Sequence, residues 1–457
     1  MCTTIQFMDE CLMLQLFMKS NKNQQPVFLC SNCGETYPKW SGSCANCGEW
    51  NTLKEYKQNI NIPKSQDRVN VSNIQIQNIS TYQEEYTARI KSSINAWDNV
   101  LSGGMIQGQV ILFSGDPGIG KSTLLLQIIS QMKSKVLYFS GEETTQQIIS
   151  RAKRIDSHDD AFLKTDFVNL NSLEELESLA ITHNYEIVIV DSIQTISSQS
   201  TGGIPGSVSQ IRECTLKMAQ LAKQNNFIFI IVGQVTKEGD IAGPKLLEHL
   251  VDTVMYFEGD KNNDLRVLKL IKNRYGNTNE VAFFEMKQSG LKALDNPSNL
   301  IIDRSKELLE GSCYSLALEG NIPIILELQA LCNRSVFNYP KFVSTGYPLN
   351  RLQMICAIIS KRTKINLSDQ DIYLNIIGGI KIDDPQIDLG VCMAIASSFF
   401  KKPVNKNYIF FGELGLTGEV RFNKSKEKRI NFATTNKFET EHFSKLNKIE
   451  SYFNLLK

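Results

Sequence analysis

Residues 115–123, reading GDPGIGKST, limit this chain more than any other stretch. They fit the pattern G-x-x-x-x-G-K-[ST], with Gly115, Gly120, Lys121 and Ser122 at the fixed places. Residues 109–114 (QVILFS) ahead of them are apolar with β-branched members, as a buried strand requires. Residues 123–133 behind them carry Leu124, Leu125, Leu126, Ile128 and Ile129, an apolar helix. A glycine-rich turn between strand and helix wraps a polyphosphate in backbone N–H groups, and the helix N-terminus adds partial positive charge. Gly115, Asp116, Pro117, Gly118, Ile119, Gly120, Lys121, Ser122 and Thr123 are therefore the expected ATP-binding loop. In that loop Lys121 neutralises the β/γ-phosphates and the Ser122 hydroxyl ligates Mg²⁺.

Two further strands place carboxylates near this loop. Residues 136–140 (VLYFS) end in Gly141-Glu142-Glu143. A carboxylate at that strand tip faces the ligand crevice and can activate a water against the γ-phosphate. Glu142 is favoured for this task over Glu143, which suits the N-terminus of the helix expected over 144–154. Residues 185–191 (YEIVIVD) are a β-branched run ending in Asp191, the Walker B pattern, which assigns Asp191 to the Mg²⁺ shell. A Gly/Ser-rich loop follows at 197–207, then a helix over 208–224 and a buried strand over 227–232 with Gln234 just beyond it. Residues 254–258 and 264–271 read as a hairpin running into 272–276, KNRYG. Strands alternating with helices predict an α/β domain with a mostly parallel sheet covered on both faces.

Residues 28–55 carry Cys30-x₂-Cys33 and Cys44-x₂-Cys47, ten residues apart, each pair followed by a glycine. Four thiolates so spaced suit a closed, structural tetrahedral Zn²⁺ site, and the metal would supply most of the folding energy of so short a segment. Trp40, Trp50, Lys39 and Lys54 either form a contact surface there or, for the tryptophans, pack the module. The other seven cysteines of the eleven are scattered, which argues for a reducing cytoplasm rather than a disulfide framework. A net charge of +1 over 457 residues gives no global field for nucleic acid, so any such binding must come from local patches. No apolar run reaches the ~18 residues of a membrane helix. Residues 1–27 form an N-terminal extension whose acidic start fits a secretory signal poorly. Translation beginning at Met18 is one expectation for it.

The four-cysteine module, GDPGIGKST, KNRYG at 272–276 and VTKEGDIAGPKLLEH at 235–249 stand in one order. In that order the chain resembles the RecA-type ATPases, and more narrowly the bacterial RadA (Sms) family. The resemblance spans residues 28 to about 430 and extends to a C-terminal domain similar to that of Lon protease. It implies that Glu142 is the catalytic base and that Gln234, where the family usually has His, senses the γ-phosphate. It also implies that Lys272 and Arg274 reach the γ-phosphate of a neighbouring subunit. The pentad departs from the family at Tyr275, usually Phe. The resemblance further implies a hexameric, DNA-dependent ATPase promoting branch migration in recombinational repair. Its partners would be single-stranded DNA, branched intermediates and a RecA-type recombinase. Loops 197–207 and 235–245 would line a channel, with Lys237, Lys245 and Arg212 contacting DNA phosphates.

The expected division is an extension over 1–27, a zinc module over 28–55, a linker over 56–75, a RecA-like ATPase domain over 76–298 and an α+β Lon protease-like domain over 299–457. In the last, strands are expected at 336–339, 373–377 and 409–414 and helices at 351–359 and 389–400. Gln386 stands where Lon-type proteases place their serine, and Gln cannot attack a carbonyl. Lys426 then reads as a surface charge, and Ser397 and Ser398 as packing residues. After Ile430 the chain turns Asn/Lys-rich and is expected to be shortened or frayed. A nucleotide-switched assembly protein without translocation, and a Lon-type protease, are the competing functional readings.

Overall fold

The computed structural model describes residues 27–30, 36–45, 48–56, 88–158, 160–234, 247–259, 263–336 and 339–456. Residues 1–26 of the extension, 57–75 of the linker, Cys33, Cys47 and the loop 235–245 with Lys237 and Lys245 lie outside the described residues. The first unit is a three-stranded antiparallel sheet in the order β2-β1-β3, from β1 (Val27–Cys30), β2 (Thr36–Tyr37) and β3 (Leu53–Tyr56). Its core is small: Cys30, Cys44 and Leu53, with Phe28 and Tyr37 against them. Trp40 and Trp50 are 58% and 74% exposed, so they do not pack this interior.

The second unit is built on a nine-stranded sheet. Its strands are β4 (Val110–Gly115), β5 (Val136–Ser140), β6 (Thr165–Asn169), β7 (Ile187–Asp191), β8 (Ile228–Gln234), β9 (Thr253–Glu258), β10 (Leu265–Asn273), β11 (Val281–Lys287) and β12 (Gly290–Leu294). Their order is β12-β11-β10-β9-β4-β8-β7-β5-β6. From β9 through β6 neighbouring strands run parallel, and β9 to β12 form an antiparallel meander. The parallel strands are buried on both faces, so they read as continuous apolar runs. Helices α1 (Asn95–Val100), α2 (Lys121–Ser130), α3 (Thr145–Ile155), α4 (Leu173–Thr182) and α5 (Val208–Asn225) flank the sheet. Two clusters, one per face, form the core: Trp97, Phe113, Leu125 and Tyr138 on one side, Leu112, Phe139, Val190 and Met218 on the other. Trp97 and Phe113 meet edge to face at 5.4 Å, an arrangement that adds about 1 kcal/mol to their burial. Strand β6 and helix α4 were not anticipated. The burial of β6 is partial, which leaves it without a clean apolar run.

Residues 299–457 were expected to form an α+β domain. They contain a five-stranded sheet in the order β15-β16-β14-β13-β17, from β13 (Ser312–Glu319), β14 (Ile322–Arg334), β15 (Phe342–Thr345), β16 (Gln370–Ile376) and β17 (Ile409–Phe410). Helices α6 (Leu349–Arg362), α7 (Asp388–Phe400) and α8 (Lys426–Thr435) accompany it. Of the strand expected at 336–339, the described Val336 and Tyr339 are loop residues, and the next described strand begins at Phe342. Ser397 and Ser398 do pack, and each hydroxyl also accepts a backbone N–H, from Gly311 and Cys332.

Two expectations fail here. Lys426 is not a free surface charge: its ammonium lies 4.1 Å from the Phe422 ring centroid and donates to the Phe443 carbonyl. The tail is not frayed either, because Phe438, Phe443, Ile449, Tyr452 and Leu456 belong to the domain core. Widely spaced aromatics anchor a segment whose polar composition suggests otherwise. Among them His442 sits in a cage of Tyr408, Phe410, Phe443 and Tyr452, with Nε2 3.1 Å from the Ile409 carbonyl oxygen.

Burial pulls the His442 imidazole down to about 4 from 6.5. The unfolded chain therefore protonates first. The contribution to stability is complete above pH 6.5 and is lost as pH falls towards 4, by up to about 3 kcal/mol. His442→Phe is expected to flatten the pH dependence of urea unfolding between pH 6.5 and 4. An unchanged slope would contradict the buried neutral imidazole.

Candidate functional site

The parallel register brings the sequence-predicted residues to one edge. Gly115 pairs with Gln234 across β4/β8, and Ser140 pairs with Asp191 across β5/β7. Glu142 lies two residues beyond Ser140. The loop that links β4 to α2 therefore faces the tips of β5, β7 and β8. Gly120 is the N-cap of α2 at φ +113°, in the left-handed region, and α2 has no side-chain cap. The N–H groups of its first turn are left to a ligand. A Cβ at Gly115 (φ +153°) would press into the Phe257 carbonyl oxygen of the neighbouring strand, and one at Gly120 would come 2.6 Å from the Met286 methyl. Gly115 requires glycine for space as well as for φ, whereas at Gly120 the Met286 side chain could give way and φ is the constraint.

Lys121 is buried and its ammonium donates to the loop carbonyls of Gly115 (2.7 Å) and Asp116 (3.0 Å). Burial pulls its pKa below the ordinary value, while Asp191, Asp116 and Glu142 hold it up. The Ser122 hydroxyl donates to Asp191 Oδ2 at 2.7 Å. A hydroxyl and a carboxylate so joined at the crevice are hard oxygen donors of the kind that suits Mg²⁺. Glu142 Oε1 accepts from Ser192 Oγ at 2.5 Å and from Gln234 Nε2 at 3.2 Å. The carboxylate favoured as base and the polar residue favoured as sensor are thus in direct contact. Glu143 stands directly before Thr144, which caps α3 in a capping box with Gln147, and its carboxylate pairs with Arg151. Sequence reasoning missed Ser192, and it missed Tyr138, whose hydroxyl lies 2.6 Å from Asp191 Oδ2. Tyr138 lies in an apolar run, which reads as core and nothing more.

Lys272 and Arg274 are elsewhere. The Lys272 ammonium donates to the carbonyls of Glu248 (2.6 Å) and Val251 (2.9 Å), and Arg274 lies 3.3 Å from Asp252 Oδ1. Burial, then the Arg274 charge, lowers the Lys272 pKa. Asn273 pairs with Thr253, and Thr253 pairs with Ile111, four residues before Gly115. The pentad therefore lies towards the end of the sheet opposite the phosphate loop, about 13 Å away along the strands at ~3.3 Å per residue and two strands across. Arg212 is exposed on α5, near its N-terminus. The loop 197–207 has an exposed tip at 202–206 and a base held by Gln210, which bonds both the N–H and the carbonyl of Ser198.

In the first unit Cys30 and Cys44 are both buried in one cluster. The Gly48 N–H closes a turn on the Cys44 carbonyl at 2.8 Å, with Gly48 at φ +74°. Two thiols converging from a strand end and a tight turn fit a thiolate-bound metal.

Residues 90–172 match the ATPase family described as KaiC, and residues 28–55 match the family described as rubredoxin metal binding domain. The DNA repair protein RadA of Rickettsia bellii is 44% identical over 410 residues, covering 88% of this chain and 90% of its own. That of Bacillus subtilis is 41% identical over 414 residues, covering 88% and 89%. This chain belongs to the RadA family of DNA repair proteins. Its core is a RecA-like ATPase domain of a family that hydrolyses ATP, preceded by a rubredoxin-like zinc ribbon. A KaiC-like protein of Pyrococcus horikoshii OT3 aligns at 19% identity with a TM-score of 0.38, over 46% of this chain and 99% of its own. Among the described residues no helix is long and apolar enough to cross a membrane.

Cys44→Ser is expected to lose bound zinc by metal analysis while the calorimetric transition of the ATPase core stays in place. Undiminished zinc would contradict a site built on Cys44.

Proposed function

We propose that this chain is a DNA-dependent ATPase that assembles into a ring, hexameric by family resemblance, and drives branch migration of recombination intermediates. The observation that carries the proposal is the position of Lys272 and Arg274. They cannot reach the phosphate loop of their own chain across the sheet, yet both are cations fixed by backbone and carboxylate contacts. Cations so placed can complete the pocket of a neighbour, which couples hydrolysis to the boundary between subunits.

Within one pocket the roles follow from the contacts. The loop 115–123 cradles the phosphates through backbone N–H groups, and Lys121 gives up its loop carbonyls to pair the β/γ-phosphates. Ser122 and Asp191 hold the magnesium ion, which supplies charge neutralisation on the phosphoryl oxygens when bound. Glu142 takes the proton of the attacking water. Gln234 and Ser192 both donate to Glu142 Oε1, which fixes the carboxylate and leaves Oε2 for the water. Because Gln234 bonds the base directly, a change in what Gln234 touches repositions that base.

Single-stranded DNA would pass the exposed tip of 202–206 and the loop carrying Lys237 and Lys245, with Arg212 adding charge. Several copies around a channel multiply a modest charge per chain. Zinc in the four-cysteine ribbon completes the expected cofactor set, and a cytoplasmic setting with a RecA-type recombinase as partner completes the reading. The Lon protease-like domain serves as ring scaffold. Gln386 is buried in the turn Pro385–Ile387 and offers no nucleophile, which disfavours a protease.

Single-stranded DNA is expected to raise ATP turnover of the full chain. Lys121→Ala should abolish turnover. Lys272→Ala should keep nucleotide affinity and lose about 10³-fold in turnover, because it acts only on the transition state. Turnover indifferent to DNA, or normal turnover in Lys272→Ala, would overturn the proposal.

A further inference from the structure

Asp191 Oδ2 accepts two hydrogen bonds. Ser122 Oγ approaches at 2.7 Å from the phosphate-loop side, and Tyr138 OH approaches at 2.6 Å from within the sheet. Tyr138 is fully buried on β5, with its ring 5.7 Å from that of Phe167. It pairs with Ile189 and points along the same face as Ser140, whose partner across the ladder is Asp191. A tyrosine one step back from a strand tip has the length to reach the neighbouring tip with its hydroxyl. A phenylalanine there would fill the same core and leave the carboxylate without its inner donor.

Resting on the reading of Ser122 and Asp191 as the residues that hold magnesium, we propose that Tyr138 is a positioning residue for that cation. Its hydroxyl anchors Oδ2 from the apolar side and so fixes the plane of the Asp191 carboxylate. Oδ1 is thereby aimed at the crevice, and Ser122 is kept beside the cation with its proton on Oδ2. The phenol can serve only as donor in this role. An ionised Asp191 carboxylate offers only acceptors, so the phenol O–H is the donor. Hydrogen-bonding partners that orient metal-holding carboxylates typically change metal affinity by 10–100-fold when removed. Tyr138 reaches the site through the side chains of Asp191 and Ser122, the two residues assigned to the cation, so its effect should appear in the cation and not in the nucleotide's own affinity.

The test uses the full-length chain, a non-hydrolysable ATP analogue and Mn²⁺ as the paramagnetic probe, with free Mn²⁺ read by electron paramagnetic resonance. Tyr138→Phe is expected to weaken Mn²⁺ binding in the ternary complex about 10-fold. It should leave metal-free nucleotide affinity and the thermal midpoint in EDTA within error of the parent chain. Excess Mg²⁺ should restore turnover. A merely structural tyrosine would instead lower the midpoint in EDTA and leave the Mn²⁺ affinity unchanged, which would overturn the inference. Asp191→Asn separates the two levels of the claim. If it loses Mn²⁺ while Tyr138→Phe does not, only the role of Tyr138 fails. If it too binds Mn²⁺ normally, the assignment of Asp191 fails as well.

Discussion

A strand buried on both faces can carry polar chemistry only where it ends. β4, β5, β7 and β8 are buried along nearly their whole length, and their order and parallel direction put four such ends side by side. Everything polar in the pocket follows from that constraint. Asp191, Gln234, Glu142 and the phosphate loop emerge at one edge because the apolar runs behind them leave no other outlet. Hydrogen bonds then knit the tips across strands: Ser122 and Tyr138 to Asp191, and Ser192 and Gln234 to Glu142. Side chains held by neighbouring strand tips inherit the rigidity of the sheet, which is the condition for preorganised catalysis.

The same sheet also sets what the pocket lacks. Strand β10 alternates its side chains between two cores. Leu268 and Leu270 face the ATPase interior, while Leu265 and Val267 belong to the core of the C-terminal domain. Lys269 spans the junction, 3.1 Å from Glu258 and 3.2 Å from Glu319. Lys272 lies at the end of that strand and Arg274 just beyond it. A cation pair mounted on a strand shared by two packed cores moves only as those cores move. That mounting suits a role in which the cations report the placement of one subunit against the next.

How much of this was legible in the sequence depended on whether a residue's role is local. The phosphate loop is a contiguous pattern whose glycines answer contacts within a few ångströms, so 115–123 could be read directly. Asp191 and Glu142 could be read because each carboxylate follows an apolar strand in a chain whose phosphate loop already marks that crevice. Tyr138 could not, since its function depends on a partner 53 residues away that only the β5/β7 register supplies. The opposite-end placement of Lys272 and Arg274 likewise needs the chain of pairings from β10 through β9 to β4. In the C-terminal domain Gln386 was visible by position. Lys426 over Phe422 and the anchored residues 438–456 were not, because polar composition masked a few decisive aromatics. For Trp40 and Trp50 the sequence left packing and a contact surface both open, and their exposure is what separates the two.

The account turns on a pocket completed by a neighbour, and mixing two inactive chains tests it most directly. Lys121→Ala lacks its own phosphate grip but keeps the cations it lends, and Lys272→Ala keeps the grip but lends an incomplete pair. Each alone should be nearly devoid of DNA-stimulated ATP hydrolysis. Co-assembled, they should recover a substantial fraction of it, because a Lys272→Ala pocket beside a Lys121→Ala neighbour is whole. A mixture no more active than the sum of its two components would contradict the account.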